Sequence, residues 1–178
     1  MKRAIILIFV LIASIQTSYG QGATDQGVTW FGGTAGFASF SSENASSTTI
    51  NLSPTVNYFF RNNMFFGGAM DWRRQSEGGS SVMTLGVGPQ LGITLNSPDD
   101  TSIPYLAVGF RYISNGFDNT NGGTSVRGTD IFAGGGFNVT LAQSVGIIIE
   151  IGYHIQSFEG GTSLNALMMG IGVTGILN

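Results

Sequence analysis

At 178 residues the chain is one domain's worth, and with no cysteine it can build neither a disulfide nor a thiolate metal site. Only 10% of its residues are charged, against roughly 25% in soluble globular chains, while glycine contributes 28 residues and aromatic side chains 11%. After residue 20 there is no lysine, and Arg61, Arg73, Arg74, Arg111 and Arg127 face ten acids, a balance that argues against a nucleic-acid-binding surface.

The first twenty residues, "MKRAIILIFVLIASIQTSYG", read as a secretory signal peptide. Lys2 and Arg3 form a basic start, Ala4 to Ile15 an apolar run, and Ser18 and Gly20 the small residues before a cleavage at Gly20–Gln21. The apolar run is shorter than the about 18–20 residues of a spanning helix. The mature domain is therefore expected at 21–178.

From there the chain alternates with a period of two, which places successive side chains on opposite faces of a strand. A first strand, about Thr29–Phe40, is followed by a second in which Ile50, Leu52, Val56, Tyr58 and Phe60 oppose Thr49, Asn51, Ser53, Thr55 and Asn57. In the third, Met64, Phe66, Met70 and Trp72 oppose Gly67, Ala69, Asp71 and Arg73; in the fourth, Met83 to Leu95 alternates with Thr84, Gly86, Gly88, Gln90, Gly92 and Thr94. Leu106 to Tyr112, Ile131 to Leu141, Val145 to Ile155 and Leu167 to Leu177 repeat the pattern, giving eight strands of about 10–14 residues. Connections rich in turn residues separate them at 41–47, 61–63, 75–80, 96–100, 115–128, 142–144 and 158–162, with short ones tending to alternate with longer ones.

This predicts an all-β fold, an eight-stranded antiparallel up-and-down transmembrane β-barrel. A soluble barrel of this size would turn its apolar face inward, leaving an outside of glycine, threonine and serine with few charges and a lumen overfilled by bulky residues. With the apolar face outward, bulky residues meet lipid and the small residues fit a narrow interior. Tyr58, Phe60 and Phe66, with Trp30 at the same level, read as one lipid-boundary belt; Phe40, Trp72, Tyr112 and Tyr153 read as the other.

The stretches "INLSPTVNYFFRNNMFFGGAMDW" (50–72), "IPYLAVGFRY" (103–112) and "LMMGIGVTGIL" (167–177) resemble the outer-membrane β-barrel domain family, especially its secreted Bacteroidetes-type members. The resemblance spans essentially the whole mature chain. It implies an OmpA- or OmpX-like barrel in the outer membrane of a Gram-negative cell, with lipid and lipopolysaccharide as surroundings and barrel-assembly machinery as its handler. It supplies no catalytic residue. The closing "GILN" departs from the aromatic end usual in such barrels.

Candidate chemistry is sparse. "GIGVTG" (170–175) matches a dinucleotide fingerprint but leaves three residues where a helix is required, and "DNTNGG" (118–123) lacks the acidic spacing of a calcium loop. His154 and Ser157 have opposite parity, so they cannot act as base and nucleophile together; Glu150 and His154 share a face but stand about 13 Å apart on a strand. No enzyme, cofactor or metal site is expected. The inward set Asp71, Arg73, Arg111, Asp130, Glu150 and His154 reads instead as an interior network of paired charges, with Arg111 and Asp130 near the external end.

The expected role is structural or interaction-based, exerted by a monomer whose external loops meet a surface ligand. A narrow pore or transporter for small or hydrophobic molecules is the alternative, and a membrane-embedded lipid-modifying enzyme a third.

Overall fold

A computed structural model describes residues 22–41, 46–77, 80–95, 101–118, 124–142, 144–161 and 163–178. The leader at 1–20, the connection at 96–100 and most of "DNTNGG" lie outside them, as does the side chain of Phe40. Eight strands follow one another: β1 (Thr29–Ser41), β2 (Ser46–Arg61), β3 (Met64–Glu77), β4 (Ser80–Thr94), β5 (Ser102–Asp118), β6 (Thr124–Ala142), β7 (Val145–Phe158) and β8 (Ser163–Leu177). Each pairs antiparallel with its sequence neighbours, and β1 pairs with β8, closing the barrel. Closure removes the exposed edges that an open sheet would present to hydrocarbon.

The period of two sorts the side chains as an inside and an outside. Val87, Leu91, Val108, Ile131, Phe137, Ile171 and Val173 are all more than half exposed on the outer surface, whereas Thr84, Gln90, Asp130, His154 and Thr174 are buried inside. An outer surface of this composition suits lipid and not water.

The ends of the barrel differ. At one, β2 turns into β3 through Asn62 and Asn63, and Asn63 takes a left-handed conformation at φ 63°, which asparagine tolerates better than most residues. Residues 22–28 cover this turn end from inside: the Gly27 amide donates to the Phe59 carbonyl, the Phe59 amide to the Val28 carbonyl, and the Asn63 amide to the Thr24 carbonyl. At the other, the loop end, strands run further than turn-residue composition suggested, β5 to Asp118 and β6 from Thr124. Arg111 and Asp130, directly opposed in the β5–β6 register, therefore sit well inside the barrel and not at its external end. Glycine and asparagine in 115–128 read as loop because their turn tendency is local, while a long hairpin is held by pairing along its length.

Candidate functional site

The interior polar side chains converge because the residues between them are small. Tyr105 on β5 opposes Gly136 on β6, which opposes Glu150 on β7. With no side chain at Gly136, the Tyr105 hydroxyl crosses that strand and donates to Glu150 Oε2 at 2.6 Å. Asn57, Gly67 and Gln90 repeat the arrangement on β2, β3 and β4, where Gln90 Nε2 donates to Asn57 Oδ1 at 2.7 Å.

Charges occupy the middle of the lumen. Arg111 Nη1 lies 2.5 Å from Asp71 Oδ2 and 3.6 Å from Asp130 Oδ2. His154 Nδ1 stands 2.9 Å from the same Asp130 oxygen, a distance at which an Nδ1–H donates to the carboxylate. Ser53 Oγ donates to Asp71 Oδ1 at 2.6 Å. The Arg111 guanidinium also lies over the Phe132 ring, 4.8 Å from its centroid, and that ring is 5.1 Å from the imidazole. Arg111, Asp130 and His154 are each at least 97% buried. At that depth an ion pair stands only with its partners in place, because a single bereft charge keeps the full desolvation cost.

Of the six sequence-predicted interior residues, Asp71, Arg111, Asp130 and His154 form this one cluster. Glu150 is held apart by Tyr105. Arg73, two residues toward the loop end from Asp71, is half-buried, touches the Met168 sulfur and forms no ion pair among the described residues. Beside the cluster is a cavity of about 10 Å³ touched by Asn51, Asp71, Arg111, Glu150 and His154. Among the described residues no three His, Asp or Glu side chains converge to hold a metal ion.

A group of rings fills the turn end of the lumen. Trp30 meets Phe59 edge-on at 5.0 Å, Phe59 and Phe65 are 5.5 Å apart, and Tyr105 stands 6.4 Å from both Trp30 and Phe65. Trp30 is 2% exposed, and its indole N–H donates to the Ala23 carbonyl. It therefore belongs to the interior and not to the lipid-boundary belt in which its type and position had suggested it. Tyr58, Phe60 and Phe66 do lie outside, packed ring to ring. The inner rings carried a readable signal, since Phe59, Phe65, Tyr105 and Phe132 all fall on the parity of the small residues.

The sequence profile of the family described as "Outer membrane protein beta-barrel domain" matches residues 5–175. No curated protein sequence matches the chain. Among solved structures, the N-terminal beta-barrel domain of Pseudomonas aeruginosa OprF superposes with a TM-score of 0.61 at 13% identity, covering 85% of this chain and 98% of that one. OprG from the same organism gives 0.59 at 14% identity over 89% and 99%. Neisserial surface protein A gives 0.58 at 14% identity over 85% and 99%. At these identities the likeness is one of fold.

Proposed function

This chain belongs to the outer membrane protein beta-barrel domain family, and from that we propose that it is a structural and surface-interacting barrel whose lumen is plugged by its own side chains. The observation that carries the reading is the cluster of Asp71, Arg111, Asp130 and His154, which leaves a cavity of only about 10 Å³ beside it. Eight strands make an interior just wide enough for side chains to fill. The rings of Trp30, Phe59, Phe65 and Tyr105 add a second obstruction toward the turn end.

In this reading the protein is exported by a leader cleaved near Gly20–Gln21, sits in the outer membrane as a monomer among lipid and lipopolysaccharide, and performs no catalysis. Its external loops make the surface contacts. Planar-bilayer recording of the purified barrel tests the plug: a quiet membrane is expected, and stable unitary conductance steps would contradict it.

A further inference from the structure

The barrel is not closed equally around its circumference. Among the described residues, seven of its eight seams hold twelve to sixteen opposed pairs, but β1 meets β8 over only seven, from Thr29 opposite Leu177 to Ala35 opposite Ile171. Both strands continue, β1 to Ser41 and β8 back to Ser163, with β1 still paired to β2 and β8 to β7. Extending the register would oppose Gly36 to Gly170 and Phe37 to Met169, and neither pair forms.

Unpaired strand edges are not tolerated against hydrocarbon, but they are where they line a cavity or reach the polar boundary. Both conditions hold. Ala35, the last paired residue, opposes Leu52, which opposes Trp72, an outward ring of the kind that marks the lipid–water boundary. Loopward of it, a cavity of about 250 Å³ straddles the wall. Its outer lining is Phe37, Leu167 and Met169, which are 70%, 67% and 67% exposed; its inner lining includes Asn51, Arg73 and Gln75. Arg73 and Gln75 also line a second cavity of about 460 Å³ in the loop half of the lumen, so the opening and that vestibule share a wall. Arg73 carries a positive charge that no carboxylate among the described residues answers within ion-pair distance.

We propose that the unpaired part of the β1–β8 seam is a lateral binding site for a single-chain anionic amphiphile. Its acidic head lies against Arg73 and Gln75 inside the wall, and its alkyl chain leaves between the strands along Phe37, Leu167 and Met169. The volume is below the about 300–1,000 Å³ of sites that enclose a drug-sized molecule, which favours one chain over a multi-chain lipid. A carboxylate and a phosphate head satisfy the guanidinium equally in kind. This goes beyond the structural role and does not depend on the lumen being blocked below.

Methionine-methyl NMR of the barrel in zwitterionic nanodiscs tests it, because Met168 and Met169 line the opening while Met64, Met70 and Met83 face lipid elsewhere. Sodium laurate and dodecyl phosphate are titrated separately, with dodecyltrimethylammonium as the cationic counterpart. Saturable shifts confined to Met168 and Met169 are expected with the anions, the tighter of the two identifying the head group, and binding of the cation weaker by about tenfold or more. Arg73→Gln should weaken the anions by a similar factor and Arg73→Lys restore most of it, with heat-modifiable mobility confirming that each variant is folded. Equal responses to anion and cation in the unmodified protein, shifts of all five methionines together, or full anion binding by folded Arg73→Gln would each overturn the proposal.

Discussion

Tyr105 and Glu150 are hydrogen-bonded at 2.6 Å although a whole strand lies between them. The bond exists because Gly136 presents nothing to the lumen there; a Cβ at that position would come within 3.0 Å of the Glu150 Cα. Tyr105→Phe keeps the ring in its aromatic group but leaves the carboxylate without its donor. The expected loss is about 1–3 kcal/mol in urea unfolding followed by tryptophan fluorescence. An unchanged midpoint would mean that Glu150 is solvated well enough to do without the phenol.

The Arg111 guanidinium holds two carboxylates at once, so its removal should be costlier than the loss of either. Arg111→Ala is expected to destabilise the barrel by about 3–5 kcal/mol, since Asp71 and Asp130 would stay buried without the guanidinium they share. Combining it with Asp71→Asn should recover part of that loss, because the second substitution removes one of the stranded charges. Strict additivity in a double-mutant cycle would show that the two side chains act independently.

Two inward glycines serve as seats for rings. A Cβ at Gly152 would stand 2.3 Å from the Phe132 ring and one at Gly92 2.1 Å from the Phe65 ring. Gly152→Ala should therefore cost about 1–3 kcal/mol by overpacking. Pairing it with Phe132→Leu, which vacates the contested volume, should return some of the stability even though each change alone destabilises. Unfolding midpoints of the single and double variants check this.

Lipid exposure of the outer face predicts a dependence on depth. Val108, in the middle of β5, is 57% exposed, while Leu141, at 64%, lies at the turn end of β6. Val108→Arg should cost about 2–4 kcal/mol and Leu141→Arg about 0–1 kcal/mol when folding into vesicles is measured. Equal penalties would be inconsistent with the membrane placement of these two positions.

How far the sequence discloses this molecule depends on the range of the interaction involved. Alternation such as Leu91, Ile93 and Leu95 against Gln90, Gly92 and Thr94 is a local signal repeated in strand after strand, and the all-antiparallel barrel follows from it. The inward parity of Asp71, Arg111, Asp130 and His154 could be read in the same way, but not their contacts. Those depend on stagger between strands, which alternation leaves free. Strand ends were obscured by glycine, serine and asparagine, whose turn tendency is overridden in the long β5–β6 hairpin. Trp30 reads as outward in the sequence because a tryptophan near a strand end suits a lipid boundary as well as an interior ring group. Its place is settled by Phe59, Phe65 and Tyr105, which come from β2, β3 and β5.

The short β1–β8 seam also bears on the order in which the molecule is assembled. Every other pairing joins consecutive strands and can form hairpin by hairpin, whereas Thr29 must find Leu177 across nearly the whole described chain. Loop-closure entropy grows only slowly with length, by about 0.6 kcal/mol per doubling, so the distance itself is a modest obstacle. The return for closing is small, however, because seven pairs must hold shut what the other seams secure with twelve or more. Closing this seam is therefore expected to be the last step of assembly, and it is the seam whose opening would break the fewest pairs.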